Sequence, residues 1–96
     1  MKDKVWGLLK DGEEFVEVNG RVGVYRQGNY AMDTGGRYVG VYEGDNMRGW
    51  TGTGYSGKRQ GDWVTDWGNG AGYVRRVGDE IRDGSGRLLG YVRKRW

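Results

Sequence analysis

The stretch VGVYEGDN, residues 39–46, contains a glycine between two valines and, four residues later, a second glycine followed by aspartate. The second glycine belongs to a series that returns every 16 or 17 residues before a polar residue: Gly12, Gly28, Gly44, Gly61 and Gly78. Another series runs between them: Gly20, Gly36, Gly52, Gly70 and Gly86. Two turns per repeat leave room for two strands of about five residues, so each repeat is predicted to be a β-hairpin.

Each repeat begins with a predicted strand that carries a glycine among apolar residues, as at Gly23, Gly40 and Gly90. Glycine weakens a strand, so its recurrence indicates close approach of another backbone or tight curvature. We therefore expect an all-β fold of antiparallel β-hairpin repeats, with a period of 16–17 residues, closing into a shallow barrel. Closure would remove exposed sheet edges. Residues 5–9 and 89–93 are expected to be half-repeat strands that complete the ring.

Composition predicts one domain, residues 1–96, with a small core, because mean hydropathy is −0.87. The chain has no cysteine and no histidine, which removes thiolate chemistry, the usual neutral-pH base and the commonest transition-metal ligand. We expect no catalytic residue, no metal and no cofactor, and therefore not an enzyme. No apolar run is long enough to span a membrane and no signal peptide is evident, which predicts a cytoplasmic protein without membrane contact.

Three aspartates, Asp33, Asp66 and Asp83, occupy equivalent positions before the second turn of a repeat. A pair of carboxylates is the catalytic pattern of glycosidases. Repetition favours a different role, in which each carboxylate accepts hydrogen bonds from turn N–H groups.

The repeat strings at residues 39–45, 72–83 and 84–91 are similar to those of the bacterial β-flower families, of which the four-fold beta flower domain is one. The resemblance implies a shallow, flower-shaped barrel with hairpin petals, and it implies no activity. This chain has five turn-glycine repeats rather than four. Residues 38–42, with Gly49 and Gly52, also resemble a MORN repeat, but the period of 16–17 residues disfavours that interpretation over the whole chain.

The repeat breaks down at residues 48–59. Lys58 and Arg59 replace the apolar pair that follows the strand glycine in the other repeats. Burying two unpaired cations would cost several kcal/mol. The sequence therefore predicts that this strand faces water, lies at an open sheet edge, or binds an anion.

Large aromatic residues surround these two cations in sequence. Aromatic rings can stack on a nucleotide base while basic groups contact its phosphate. We therefore predict a small non-enzymatic binding module for an anionic, nucleotide-type small ligand. Its predicted ligand-binding residues are Trp50, Tyr55, Lys58, Arg59, Trp63 and Trp67. One alternative is a protein-interaction or assembly module, or a homo-oligomer, that uses the same aromatic surface. Another is that the tryptophans fill the core.

The formal net charge of +3 arises at the C-terminus, because residues 1–92 carry thirteen basic and thirteen acidic groups. The excess is Arg93, Lys94 and Arg95, which we interpret as a solubilising tail or, alternatively, an anion contact. A near-neutral body with one basic tail offers few phosphate contacts. Nucleic acid is therefore a less favoured partner than a small ligand.

Overall fold

The fold is a closed antiparallel β-barrel of ten strands, as seen in a computed structural model that describes residues 5–50, 55–66 and 73–95. A 3₁₀ helix, Trp6–Leu8, precedes the first strand. The strands are β1 Glu13–Glu17, β2 Val22–Gln27, β3 Tyr30–Met32, β4 Tyr38–Glu43, β5 Asn46–Gly49, β6 Tyr55–Gln60, β7 Trp63–Asp66, β8 Val74–Val77, β9 Glu80–Asp83 and β10 Leu88–Lys94. Each pairs with its neighbours in sequence, and β1 pairs with β10. The predicted all-β hairpin barrel is confirmed, with extents of 31 × 31 × 19 Å.

The turn glycines adopt the backbone conformation that the repeat predicted. Within the described residues, every positive φ belongs to a glycine of one of the two series. They are Gly12, Gly20, Gly28, Gly36, Gly44, Gly61, Gly78 and Gly86. Positive φ is strained for residues with a Cβ, so these positions fix where each strand reverses. Gly52 and Gly70 lie outside the described residues.

The ring closes where β1 pairs with β10, with Phe15 opposite Val92 and Val16 opposite Tyr91. β1 and β10 are paired like the two strands of a hairpin, but they come from the two ends of the described chain and are not joined by a turn. The prediction that residues 89–93 help to close the ring is confirmed. Because every strand has two neighbours, β6 does not lie at an open edge.

The prediction for residues 5–9 is wrong. They form the 3₁₀ helix and its flanks, and we call them the plug because they pack into the core of the barrel. Trp6 is 2 % exposed, and Val5, Leu8 and Leu9 are equally buried. A strand in the ring has one face outside the core, whereas these residues are buried on all sides. A continuous apolar run is consistent with that position.

The plug's backbone carbonyls accept hydrogen bonds from barrel side chains. The Tyr42 hydroxyl donates to the carbonyl oxygen of Trp6. Arg76 Nη1 donates to the Leu8 carbonyl at 3.1 Å, and Arg26 Nη1 donates to the Leu9 carbonyl at 3.0 Å. A short helix leaves its last carbonyls without helical partners, and these contacts satisfy them. The plug is thus held by polar groups as well as by packing.

Two strand glycines, Gly40 and Gly90, lie close to a neighbouring backbone carbonyl, as predicted, and also to an aromatic side chain, which was not predicted. A Cβ at Gly40 would lie 2.7 Å from the Trp6 ring, and one at Gly90 would lie 2.6 Å from the Phe15 ring. Trp6 also meets Tyr42 edge-on, with ring centroids 4.9 Å apart. Trp6 and Phe15 therefore pack in the core over strand backbone that has no side chain.

The repeated aspartates act as turn caps where the structure describes their side chains. Asp33 Oδ1 accepts hydrogen bonds from the amides of Gly35 and Arg37 at 2.9 and 3.0 Å. Asp83 Oδ1 accepts equivalent bonds from Ser85 and Arg87, both at 2.9 Å. The turn-capping prediction is confirmed at these two positions. The side chain of Asp66 lies outside the described part of the chain.

The cations at the C-terminus are not a free tail. Arg93 belongs to β10, and its Nε donates to Glu14 Oε2 at 2.5 Å. Arg95 Nη1 donates to the other Glu14 oxygen at 2.9 Å, and its guanidinium lies over the Tyr25 ring. Glu14 is only 5 % exposed. The interpretation as a solubilising tail is therefore wrong for these two arginines, which join the last strand to the first.

Replacing Glu14 with glutamine should lower the free energy of unfolding by roughly 2 kcal/mol at neutral pH, because charge-assisted hydrogen bonds are lost. Burial alone would raise the pKa of Glu14, but hydrogen bonds from Arg93 and Arg95 and their positive charges hold this pKa below its ordinary 4.5. The carboxylate therefore stabilises the fold above about pH 4.5, and this contribution fades as the pH falls through the lowered pKa. Urea denaturation of both proteins at several pH values measures the difference. A difference that stays constant on acidification would contradict this role.

No helix within residues 5–50, 55–66 and 73–95 has the length and apolarity needed to cross a membrane.

Candidate functional site

The two cations singled out by the sequence lie on opposite faces of β6. Lys58 is opposite Thr65 and is exposed, whereas Arg59 is opposite the fully buried Val64. Directly paired residues share one face of a sheet, and successive residues point to opposite faces. Lys58 therefore projects from the outer face of the barrel. Arg59 lies on the opposite face of the strand, the face that carries the buried Val64. A single ligand group does not meet both side chains in this arrangement.

The predicted aromatic residues contact different neighbours. Trp63 lies 4.9 Å from Tyr73 between ring centroids, with Arg75 above it at 5.7 Å. Tyr55 donates a hydrogen bond from its hydroxyl to Glu43 at 2.9 Å.

Trp50 lies beyond the far end of β5, four residues past Asn46, which is the residue opposite Lys58. Trp67 lies outside the described residues. The five described members of the predicted cluster therefore lie at several places on the barrel.

Arg59 occupies a repeat position at which two other members hydrogen-bond the plug. The backbone amides of four residues each donate to a carbonyl of the preceding first-series turn, at 2.7–2.8 Å: Tyr42, Arg59, Arg76 and Val92. The Val92 side chain is apolar and lies in the core. Tyr42 and Arg76 use their side chains to bind plug carbonyls. Arg59 instead contacts Asp45, with Nη2 3.2 Å from Oδ1. Both side chains of this pair are largely exposed, at 42 % and 59 %.

Arg59 lines a cleft of about 240 Å³ at the end of the barrel where the first-series turns lie. We call it the basic cleft, and its lining residues are Leu8, Lys10, Arg59, Gly61, Asp62, Arg76 and Gly78. Three of these side chains are cationic and one is anionic. The cleft therefore has an excess of basic groups in its lining, next to the plug.

Arg76 contributes charge to the basic cleft but no free donor. Its guanidinium has five N–H groups, and acceptors are present for all of them: the carbonyls of Leu8 and Gly78, both oxygens of Glu13, and Asp79. Burial alone would raise the pKa of Glu13, but the Arg76 hydrogen bond and charge hold that pKa below its ordinary value. Glu13 and Arg76 therefore both stay charged at neutral pH and pair with each other, and the other two cations of the lining are Arg59 and Lys10.

A second surface feature is a cluster that we call the aromatic trio: Tyr30, Tyr38 and Trp50. These rings are 43 %, 46 % and 48 % exposed. Tyr38 and Trp50 stack with centroids 4.3 Å apart and planes 22° apart, and Tyr30 lies 5.3 Å from Tyr38. Other large apolar side chains are also exposed, but these three rings contact one another and form a contiguous apolar patch, which is the kind of surface that marks a binding site.

Sequence reasoning missed Tyr30, Tyr38, Lys10 and Arg76. A signal for Tyr30 was available, because it and Trp63 follow a first-series turn where other repeats have Asn46 and Glu80. An aromatic residue at a repeat position that otherwise carries a polar residue indicates an exposed ring. Nothing in the sequence indicated Lys10, because its place in the cleft depends on the plug.

The described residues contain no group of three or more acidic or metal-ligating side chains able to hold a metal ion. Comparisons with protein-family models, curated proteins and solved structures found no match to this chain. The resemblance to β-flower families therefore stays a prediction.

Proposed function

We propose that the protein is a small, non-enzymatic binding module that takes a small anion, of the phosphate type, in the basic cleft. The observation that carries the proposal is the position of Arg59. Its structural counterparts Tyr42 and Arg76 are committed to the plug, whereas Arg59 reaches only an exposed carboxylate among the described residues. The fourth member of this repeat position, Val92, is buried in the core, so Arg59 is the member whose side chain neither binds the plug nor lies in the core.

The Arg59 contact with Asp45 is weak enough to be exchanged for a ligand. Ion pairs with both partners exposed contribute about 0–1 kcal/mol. An oxyanion with two oxygens would match the planar guanidinium with two parallel hydrogen bonds, which a carboxylate reached through one oxygen does not. Lys10 supplies a second positive charge in the same lining, opposed by Asp62.

The stacking half of the predicted nucleotide site is not part of this proposal. Trp50 belongs to the aromatic trio, and Trp63 shares the outer face of its hairpin with Gln60 and Arg75, its cross-strand partners. The proposal therefore concerns the anionic group alone. Comparing phosphate compounds with and without a nucleotide base distinguishes a site for phosphate from a site that also stacks on the base.

Replacing Arg59 with glutamine should weaken phosphate binding at least about tenfold, because a hydrogen bond to a charged group contributes about 1.5–3 kcal/mol. Titration of the isotope-labelled protein with inorganic phosphate, pyrophosphate and adenosine monophosphate, followed by NMR chemical shifts, measures the affinity.

The matched control is Lys58→Gln, which removes the same charge from the opposite face of the same strand. It should change the affinity by less than about twofold, apart from screened long-range attraction. If both variants lose affinity equally, anion binding depends on the net charge of the protein and not on the basic cleft, and the proposal fails.

The alternative function, a protein-interaction or assembly module, would use the exposed aromatic surface. The observation that favours this alternative is the aromatic trio, because exposed rings in contact with one another are typical of protein interfaces.

A further inference from the structure

We propose a second binding site, for a neutral saccharide, in a groove beside the aromatic trio. The groove has a volume of about 610 Å³, within the roughly 300–1,000 Å³ of small-molecule sites. We call it the neutral groove, and its lining residues are Gln27, Gly28, Asn29, Tyr30, Met32, Tyr38, Val41 and Tyr42. Two members of the aromatic trio, Tyr30 and Tyr38, therefore form part of its wall.

The lining excludes a charged occupant. All eight residues are described, and none carries a charge at neutral pH; burial raises the pKa of the Tyr42 phenol further above its ordinary value. The neighbouring cation Arg26 is not part of the lining. Its guanidinium lies 3.9 Å from the Tyr42 ring centroid and donates hydrogen bonds to the carbonyls of Gly28 and Leu9. A charged ligand would lose hydration without gaining an opposite charge, so a neutral ligand is favoured.

Polar groups in the groove suit hydroxyls. Gln27 and Asn29 flank the β2–β3 turn, and each carries an amide that both donates and accepts hydrogen bonds. A sugar hydroxyl also does both, so one amide can pair with two neighbouring hydroxyls. Both residues are exposed, so their amides are open to a ligand, and a polyol can replace the water bound to them whereas an apolar ligand cannot.

The rings of the wall suit the flat face of a sugar. Tyr30 and Tyr38 are each nearly half exposed, and the Trp50 ring stacked on Tyr38 keeps that side chain in place. The face of an aromatic ring is electron-rich, and the C–H groups on the face of a gluco-configured pyranose carry partial positive charge. A groove that combines exposed rings, amides and no charge therefore suits a sugar as its ligand better than it suits the flat surface of a partner protein.

Replacing Tyr30 with alanine tests the site directly. Calorimetric titration of the 96-residue chain with cellohexaose and with fully N-acetylated chitohexaose should detect binding, and Tyr30→Ala should weaken it at least about tenfold. Tyr30 is 43 % exposed, so the variant is expected to fold, which a thermal melt checks. Asn29→Ala should also weaken binding, because it removes an amide that would hydrogen-bond the sugar hydroxyls. This variant leaves every ring of the groove in place.

The control is Trp63→Ala, which removes a ring of similar exposure, 41 %, from the outer face of another hairpin. It should change saccharide affinity by less than about twofold. Absence of binding by both probes overturns the proposal, and so does an equal loss in the control. Self-association in light scattering that Tyr30→Ala abolishes, without saccharide binding, would assign the trio to a second copy of the chain instead. Phosphate titration of Arg59→Gln is unaffected by either result.

Discussion

Replacing Trp6 with alanine should lower the free energy of unfolding by about 3–5 kcal/mol, the range for truncating a fully buried aromatic side chain. Trp6 is among the largest fully buried side chains, and its ring fills the space over Gly40 and against Tyr42. A domain of this size has a total stability of roughly 5–14 kcal/mol. The substitution should therefore remove a large share of it.

Urea denaturation followed by circular dichroism measures the loss, with Trp63→Ala as the matched control. Trp63 is 41 % exposed, so its truncation should cost less than about 1 kcal/mol. If the two variants lose similar stability, the plug does not fill the core and the described packing is wrong. An unchanged dependence on urea concentration would show that both variants still unfold from a barrel of the same extent.

The plug explains why the fold could be predicted from the sequence while one of its elements could not. Turn glycines determine where strands reverse, because positive φ restricts those positions to glycine. That local rule predicted the hairpins, and the recurring strand glycine predicted the ring that residues 89–93 help to close. Residues 5–9 share the glycine-centred apolar pattern of the strands, and only the buried space at the centre of the ring distinguishes a plug from a strand.

The candidate site was less predictable because it depends on contacts across repeats. Strand alternation alone separates Lys58 from Arg59, and applying it would have divided the predicted cluster. The stacking of Trp50 on Tyr38 and the position of Lys10 beside Arg59 arise from three-dimensional packing. No spacing in the sequence encodes either contact.

Replacing Gly40 with alanine should destabilise the barrel by about 2–3 kcal/mol, the upper part of the range for overpacking. A Cβ at Gly40 would lie 2.7 Å from the Arg48 carbonyl oxygen and 2.7 Å from the Trp6 ring. The oxygen belongs to the paired strand and the ring to the plug, so neither can move without disturbing the barrel.

Gly49 provides the control, because it is the direct cross-strand partner of Gly40. A Cβ there would meet nothing within 4 Å, and its φ is not positive. Gly49→Ala should therefore be neutral or stabilise by up to about 1 kcal/mol, through the lower entropy of the unfolded chain. Equal losses at the two positions would mean that alanine is excluded by strand geometry and not by the plug.

A double-mutant cycle separates the ring from the carbonyl as the cause. Gly40→Ala made in the Trp6→Ala background should cost about 1 kcal/mol less than in the native chain, since residues in direct contact couple by roughly 0.5–3 kcal/mol. The residual cost belongs to the Arg48 carbonyl, which the second substitution leaves in place. Additive losses would contradict direct contact between strand and plug. Coupling of the expected sign would show that glycine is required at position 40 by the Trp6 ring above it.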